Sequence, residues 1–330
     1  MVLDKIQRPN DVKELKEQEL PILADEIRQF IIDKVSDNGG HLASNLGVVE
    51  LTIALHRCLN FPQDKLIWDV GHQSYTHKIL TGRKNGFDSL RKYHGMSGFP
   101  KRDESNCDAF DTGHSSTSLS AGLGMVCARE LKKEKYKVVS VIGDGSLTGG
   151  LAFEALNNAA SLKSNYIMIL NDNHMSISEN VGGLSHYLAG VRTAKGYTNF
   201  KKNVKASLSK MNAIGEELER NIRRAKSMLK QVFDSGNVFT KIWAITYLGP
   251  IDGHNIEALT EVIEDAKQVE GAVLIHVITE KGKGYEPAQL HPESYHGVGP
   301  FIKKKWNGEK PKEEATYTDI FAKTICEHCT

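Results

Sequence analysis

The chain has 330 residues, 25% of them charged and 40% hydrophobic, with a formal net charge of +1 at pH 7. This composition is that of an ordinary soluble globular protein, long enough for one large domain or two smaller ones with a sizeable core. The balanced charge argues against nucleic acid or a membrane as the main partner. Likewise, no secretory signal precedes residue 10 and no apolar run is long enough to span a bilayer.

Helical and strand patterns alternate along the chain, which predicts an α/β fold with a mostly parallel sheet and helices on both faces. Helical spacing of apolar residues predicts helices over residues 12–35, 48–59, 119–131, 151–162 and 256–266. Short β-branched apolar runs predict buried strands over residues 66–70, 138–142, 167–170 and 272–278, and the apolar run 242–248 is predicted to return to the sheet.

Two of these strands end in polar loops near the middle of the chain. The strand over 138–142 stops at Gly143–Gly145, where two glycines flank Asp144 and let the backbone approach a ligand closely. The strand over 167–170 is followed by Asn171–Asn173. Because ligands of open parallel sheets bind beyond the carboxyl ends of the strands, the two loops are predicted to converge on one site.

The groups in these two loops suit a magnesium ion. Asp144 offers a carboxylate, Asn173 an amide oxygen, and the irregular backbone at His174 and Met175 a carbonyl. Together with a ligand diphosphate and water, these oxygens make an octahedral shell. Asn173 follows Asp144 by 29 positions, about one strand–helix–strand unit. This pairing resembles the fingerprint of thiamine-diphosphate proteins, in which an asparagine follows a Gly-Asp-Gly turn after one such unit.

Three histidines, His41, His72 and His114, lie in predicted loops at the starts or ends of elements. Taken singly, each fits a surface or hydrogen-bonded structural histidine. Beside a magnesium–diphosphate site, the three together suit hydrogen bonding to a phosphate and proton transfer near neutral pH. The backbone and hydroxyl donors of Gly113–Ser116, at the start of a predicted helix, also suit an anion.

Longer blocks of the sequence resemble the 1-deoxy-D-xylulose-5-phosphate synthase family, a group of transketolase-like thiamine-diphosphate enzymes. The blocks are Gly39–Leu51, Trp68–Tyr75, His77–Arg83, Thr112–Ser118, Gly249–His254 and Lys281–Pro287. The resemblance runs from about Leu15 to the last residue without a large gap, and the blocks differ from those of transketolase proper.

The resemblance implies a role for each matching residue, with thiamine diphosphate and Mg²⁺ as cofactors. Asp144, Asn173 and the Met175 carbonyl would bind the magnesium. The residues implied along the cofactor are His72, Gly113, His114, Ser115, Gly145, Ser146, Asn173, Lys281 and Tyr285. His41 and His296 would face the reacting carbon and His72 would fix the diphosphate and the first intermediate, so the predicted catalytic residues are His41, His72 and His296. A cationic Lys281 beside a diphosphate also makes electrostatic sense without the resemblance.

The activity implied by the resemblance is the condensation of pyruvate with glyceraldehyde 3-phosphate to 1-deoxy-D-xylulose 5-phosphate, with loss of carbon dioxide. The product serves isoprenoid, thiamine and pyridoxal biosynthesis. The cofactor carries the hard chemistry, because its thiazolium ring attacks pyruvate and stabilises the carbanion. The implied partners are the two substrates and either a second copy in a full-length homodimer or a C-terminal partner chain; neither nucleic acid nor a membrane is expected.

The resemblance also divides the chain into parts. Residues 1–301 match the diphosphate-binding domain, with a mobile basic insertion at about 181–240. Residues 302–316 have linker composition, and residues 317–330 match the first helix of a pyrimidine-binding domain that is otherwise absent. Because the glutamate that activates the pyrimidine would lie in the absent part, the chain is expected to be inactive alone. The residues leave open whether it is a fragment, a truncated gene product or a subunit of a split enzyme.

Several alternatives remain open from the residues. The lysines and arginines between 201 and 230 fit a solvated lid beside the site, and otherwise a surface for a membrane or an acidic partner. A split transketolase subunit and a non-catalytic cofactor-binding protein are the competing functions.

Cys326 and Cys329 have metal-ligand spacing without a second pair. With Cys58, Cys107 and Cys127 they form an odd, scattered set, which favours reduced thiols in the cytoplasm.

Overall fold

The structure is a computed structural model that describes residues 1–173, 175, 183, 187, 188, 190, 238–303, 315 and 317–328. His174, Cys329, most of the predicted linker and nearly all of the predicted basic insertion lie outside the described residues. The chain divides into two units, Met1–Pro300 and Phe301–Thr330.

The first unit contains a parallel sheet. Its strands are β1 (Lys65–Trp68), β2 (Val138–Gly143), β3 (Tyr166–Asp172), β4 (Thr246–Asp252) and β5 (Ala272–Ile278). Within the described residues their spatial order is β1-β2-β3-β5-β4, and every neighbouring pair is parallel. The register sets Gly143 opposite Asn171 and Asp172 opposite Ile278, so the carboxyl ends of the central strands lie level with one another.

Helices connect the strands. They are α1 (Leu20–Asn38), α2 (Ala43–Leu46), α3 (Val49–Cys58), α4 (Tyr75–Lys78), α5 (Ser118–Lys132), α6 (Gly150–Ala159), α7 (Val238–Trp243), α8 (Ile256–Ala266) and α9 (Glu286–Leu290). Short 3₁₀ turns cover Leu3–Lys5, Asp11–Glu14, Glu17–Glu19, Lys84–Ser89 and Ser146–Thr148, and a π turn covers Ile79–Arg83. The second unit contains α10 (Tyr317–His328). Among the described residues no helix combines the length and the apolar character that crossing a bilayer requires.

Both faces of the sheet are buried, which confirms the predicted α/β fold with helices on both sides. Along β3, Ile167 and Ile169 join the apolar cluster that contains residues of α3 and α8. The alternate residues Tyr166 and Met168 join the cluster that contains residues of α5 and α6. Since successive side chains of a strand point to opposite faces, a strand covered on both sides must be apolar at nearly every position. Every residue of β3 is buried, as this rule requires.

One close contact explains a glycine in α5. A Cβ built on Gly122 would lie 2.3 Å from the Tyr166 hydroxyl and 2.4 Å from the Ser140 hydroxyl, so the helix packs directly against β2 and β3 at this point. By contrast, a Cβ on Gly124 would meet no atom within 4 Å. The close packing of this helix against the sheet therefore requires a glycine at position 122 but not at position 124.

A buried polar network fixes the irregular residues 98–112. The Asp108 carboxylate accepts hydrogen bonds from His77 Nε2 at 3.1 Å, from Arg83 at 2.7 and 2.8 Å, and from the Lys101 backbone N–H at 2.8 Å. Burial alone would raise the pKa of Asp108, but the hydrogen bonds from His77 and Arg83 outweigh it and hold the pKa well below its ordinary value. The loop is thereby tied to α4 without regular secondary structure.

Two predicted boundaries are wrong. The first helix begins at Leu20 rather than at residue 12, because residues 11–19 form two short 3₁₀ turns and Pro21 fits the first turn of the helix that follows. The apolar run 242–248 is split between the end of α7 and the start of β4, and Ala244 between them has a left-handed φ of 52°. In both places apolar spacing continued across a change of backbone conformation.

Candidate active site

A cavity of about 480 Å³ lies at the carboxyl edge of the sheet. The predicted site residues that line it are His72, His114, Asp144, Gly145, Ser146, Asn173, Met175, Lys281 and His296. They come from loops that follow several different strands, as expected for a ligand site of an open parallel sheet. The cavity thus brings the predicted magnesium ligands and the predicted cationic Lys281 to one place.

Four predicted site residues are not among those lining this cavity. His41 lies beside it, because its ring centroid is 5.5 Å from that of His72. Gly113 and Ser115 form a tight turn in which the Ser115 N–H donates to the Gly113 carbonyl at 2.8 Å. Tyr285 directly precedes α9, and its ring lies 5.7 Å from that of Tyr295.

The oxygen donors of the predicted metal site are held at the ends of β2 and β3. The Asp144 N–H donates to the Asn171 carbonyl at 3.2 Å, and Asn173 Oδ1 accepts the Met175 N–H at 3.1 Å. No three His, Cys, Asp or Glu side chains cluster as metal ligands in the described part of the chain. With the predicted ligands, a cation here would have the Asp144 carboxylate and otherwise neutral oxygens, which suits Mg²⁺ that shares its charge with a bound diphosphate.

Lys281 is the buried cation of the cavity, with 6% of its surface exposed. Burial lowers the pKa of its ammonium group to about 8, although the nearby Asp144 carboxylate acts in the opposite direction. The side chain is therefore mostly cationic at pH 7 and becomes neutral within the mildly alkaline range. An anionic ligand would stabilise its charged form.

Two histidines that line the cavity, His72 and His296, form a tight cluster with His41 beside it. The ring centroids of His41 and His296 are 5.8 Å apart, and those of His72 and His296 are 5.1 Å apart. Burial, followed by the charge of neighbouring groups, lowers the pKa of His41 and of His296 to about 4 and holds that of His72 well below its ordinary value. All three rings are consequently neutral near pH 7 and can each donate one hydrogen bond and accept another.

The cluster offers unused hydrogen-bonding atoms. Among the described residues, the buried Nδ1 atoms of His41, His72 and His296 have no hydrogen-bond partner. Buried polar atoms in folded proteins are nearly always paired with protein groups, water or a ligand. Three such atoms around one polar cavity are chemically suited to a polar ligand.

The histidine loops are held together by one asparagine that the sequence analysis did not single out. Asn45 is fully buried, and its Nδ2 donates to the carbonyls of His41 at 2.8 Å and His72 at 2.7 Å. Its Oδ1 accepts the Tyr75 N–H at 2.8 Å. The loop of His72 is also strained, since Val70 has a φ of 59°, which a β-branched residue rarely adopts. These contacts fix the backbone from which both imidazoles project.

Sequence reasoning missed further residues that line the cavity, namely Ser44, Asp69 and Gln73. Of these residues, Asp69 could most easily have been predicted, because it directly follows β1 at the ligand-binding edge of the sheet. Its Oδ2 accepts the Ser118 N–H at 2.9 Å and so fixes the start of α5. The other residues carry no sequence signal that separates them from ordinary polar loop residues.

Most of the chain matches a known protein family in sequence. Residues 3–279 match the sequence model of the family described as 1-deoxy-D-xylulose-5-phosphate synthase. Relatives of that name from Lachnoclostridium phytofermentans and Geobacter sulfurreducens are 56% and 53% identical to it over 99% of the chain, and it covers 52% and 51% of their lengths. The chain therefore spans about half the length of the curated relatives it matches.

Solved structures share the fold at much lower sequence identity. A transketolase from Campylobacter jejuni is similar with a TM-score of 0.59 and 20% identity, over 87% of this chain and 41% of that one. A transketolase mutant from Pichia stipitis gives a TM-score of 0.62 with 18% identity, over 87% and 39%. At this identity the likeness concerns the fold alone.

Proposed function

Because this chain belongs to the 1-deoxy-D-xylulose-5-phosphate synthase family, we propose that it is the diphosphate-binding half of an enzyme that condenses pyruvate with glyceraldehyde 3-phosphate. Enzymes of this family and transketolases use thiamine diphosphate with Mg²⁺. The single observation that carries the proposal is the cavity in which Asp144, Asn173 and Lys281 meet the histidines. The family match gives the reaction class, and the cavity provides the donors that such a cofactor needs.

The residues present fit the cofactor. We assign Asp144, Asn173 and the Met175 carbonyl to the magnesium ion, and Lys281 and Ser146 to the diphosphate. Gly143 and Gly145 flank Asp144, and a Cβ on Gly143 would meet nothing within 4 Å, so the backbone there is open to a ligand. His114, Gly113, Ser115 and Tyr285 remain proposed cofactor contacts, of which His114 lines the cavity.

Bound at this site, the thiazolium ring of the cofactor would supply the carbon nucleophile and the electron sink of the reaction. The protein's own part is to position groups and move protons. We assign His41 and His296 to hydrogen bonding and proton transfer at substrate oxygens, since both rings are neutral near pH 7 and each has an unused, buried Nδ1 among the described residues. His72, whose ring centroid lies 5.1 Å from that of His296, would fix the diphosphate end.

The magnesium site is tested by calorimetry of thiamine diphosphate binding to the chain. We expect binding to require Mg²⁺ and to be lost in Asp144→Ala, because the metal then lacks its one protein carboxylate beside a diphosphate. Asp103→Ala, at an exposed carboxylate of the irregular loop, is the matched control and should bind as wild type does. Equal affinity of Asp144→Ala and wild type at saturating Mg²⁺ would refute the site.

The proposed reaction is tested by adding the C-terminal half of a relative, which this chain does not span. The chain should form no deoxyxylulose phosphate alone, since the relatives are about twice as long and the pyrimidine-activating glutamate is expected in their second half. Adding or fusing the C-terminal half of the Lachnoclostridium phytofermentans relative should give turnover. In that enzyme His41→Ala should cost about 10²-fold or more. Turnover of pyruvate by the isolated chain would contradict the assignment of half a site.

Assembly and location are further parts of the proposal. We propose that the complete enzyme is a homodimer, or this chain with a C-terminal partner chain, and that it works in the cytoplasm, in keeping with the free thiols of Cys58, Cys107, Cys127 and Cys326. Light scattering of the chain alone and with the added half measures the assembly. The proposed lid at about 181–240 lies outside the described residues and is tested by limited proteolysis, which should cut there first.

A further inference from the structure

A second polar arrangement lies behind Lys281 and is built on the Gly249–His254 block. His254 follows β4, and its backbone N–H donates to Asp252 Oδ1 at 2.9 Å, which closes a tight turn. A Cβ on Gly253 would lie 2.5 Å from Thr279 Cγ2 and 2.8 Å from the Ile278 carbonyl oxygen, so this turn packs directly against the end of β5. The turn therefore brings the His254 ring next to the loop that carries Lys281.

The ring of His254 joins two distant segments. Its Nε2 accepts the backbone N–H of Glu280 at 2.9 Å, and its Nδ1 lies 3.0 Å from Glu50 Oε2. A backbone N–H can only donate, so Nε2 must be unprotonated, and Nδ1 carries the proton that is donated to the Glu50 carboxylate. The contacts thus determine a neutral ring with a single tautomer.

Glu50 provides a fixed anchor for that ring. It is a buried residue of α3 whose Oε1 is paired with Arg28 of α1. Burial alone would raise the pKa of the Glu50 carboxyl, but the hydrogen bond from His254 and the charge of Arg28 outweigh it and lower the pKa. The carboxylate is therefore ionised at neutral pH and holds the Nδ1–H tautomer in place, as second partners commonly orient a histidine.

The peptide that precedes Lys281 is held from the opposite side as well. A Cβ on Gly47 would lie 3.0 Å from the Glu280 carbonyl oxygen and 3.4 Å from Lys281 Cα, so the backbones of these two segments are in direct contact. The Gly282 N–H donates to the Ala43 carbonyl at 2.8 Å. Among the described residues, the Glu280 N–H donates its hydrogen bond to His254 Nε2 alone.

We propose that His254 is a positioning residue for Lys281. Its anchored ring accepts the hydrogen bond of the Glu280 N–H and so fixes the backbone just before Lys281, from which the ammonium group reaches the cavity. This inference rests on the proposed function in one respect: the proposed function identifies the diphosphate as the ligand of Lys281. A positioned cation binds an anion more tightly than a mobile one, because the ordering of its segment has already taken place on folding. His254 is not among the residues that line the cavity, so it acts through Lys281.

Two substitutions separate the two halves of the ring. In His254→Asn the shorter amide reaches the position of Nδ1 and can still donate to Glu50, but nothing accepts the Glu280 N–H. In His254→Gln the amide oxygen reaches the position of Nε2 and can accept that N–H, but the bond to Glu50 is lost. If the Glu280 bond is what matters, the glutamine variant rescues the function and the asparagine variant does not.

Two readouts are compared in both variants. The first is calorimetry with inorganic diphosphate and Mg²⁺, for which we expect His254→Asn to bind about three- to tenfold more weakly, the scale of one lost hydrogen bond, and His254→Gln to bind within about twofold of wild type. The second is the rate at which an amine-reactive reagent labels Lys281, mapped by mass spectrometry, with the exposed Lys132 of α5 as internal control. Labelling of Lys281 relative to Lys132 should rise only in His254→Asn.

The outcomes distinguish this role from the others. Equal behaviour of the two variants, or a larger loss in His254→Gln, would overturn it, because the ring would then serve only to pair with Glu50. A lower urea midpoint in His254→Asn without a change in Lys281 labelling would also overturn it, as a purely structural effect. If wild type binds no diphosphate while Lys281 labelling still separates the variants, the proposed function fails and the positioning role of His254 stands.

Discussion

Replacing Asn45 by aspartate tests how the two histidine loops are held. The side chain keeps its shape, but the amide group that donates to the His41 and His72 carbonyls at 2.8 and 2.7 Å becomes a carboxylate oxygen. Two carbonyls then lose their donor in a site that is fully buried. At about 1–3 kcal/mol for each buried group left unpaired, Asn45→Asp should lower the free energy of unfolding by about 4 kcal/mol at pH 8.

The loss should depend on pH with a definite sign. A carboxyl buried against two carbonyl oxygens has a raised pKa, since its neutral form can still donate one hydrogen bond while its anion cannot. A group whose pKa is raised by folding contributes stability at low pH that disappears as the pH rises through its folded-state pKa. We therefore expect the gap between Asn45→Asp and wild type to be smaller at pH 5 than at pH 8.

The measurement is urea unfolding followed by circular dichroism at both pH values. Asn85→Asp, at an exposed position of a 3₁₀ turn, is the matched control and should leave the midpoint unchanged. A loss under about 1 kcal/mol at pH 8, or a gap that does not widen from pH 5 to pH 8, would refute the account of Asn45 as the link between the loops.

Urea unfolding tests two further expectations, and calorimetry tests a third. Gly122→Ala should cost about 1–3 kcal/mol by overpacking, whereas Gly124→Ala in the same helix should stabilise by up to about 1 kcal/mol, and equal effects would contradict the close contact. Asp108→Asn should cost about 3–5 kcal/mol at pH 7, and wild type should lose this advantage as the pH falls below about 4, because the pKa of Asp108 is depressed by folding. Calorimetry should show the affinity for magnesium diphosphate falling above pH 8, by up to about tenfold per pH unit, as Lys281 becomes neutral; in Lys281→Arg it should stay flat, and a fall of the same size there would exclude Lys281 as its cause.

The central part of the fold and the meeting of Asp144 with Asn173 could be predicted from local sequence. The strands over 138–142 and 167–170 are apolar at almost every position because both faces of the sheet are covered, and this leaves a clear mark in the sequence. Parallel strands end at one edge, so the polar residues that follow them must come together. This rule alone predicts that Asp144 and Asn173 belong to one site, and both line the cavity.

Local patterns failed where the backbone changed conformation without a change in apolar spacing. Residues 11–19 keep helical periodicity but form two 3₁₀ turns. Val12 and Leu15 are buried there without an α-helical backbone. The split of the run 242–248 at Ala244 has the same origin. Periodicity reports which side chains are buried, and more than one local geometry can bury the same set.

By itself, the sequence determined the α/β class, the strands and the donors at their ends, because each of these depends on neighbours in the chain. Only the tertiary structure decided that His41, His72 and His296, which come from separate loops, form one cluster at the cavity. It alone decided that His41, Gly113, Ser115 and Tyr285 do not line the cavity. It alone also showed that His254 bonds Glu50, 204 positions away. Such contacts are fixed by the packing of whole elements on the sheet, and residues far apart in the chain leave no periodic signal that predicts their meeting.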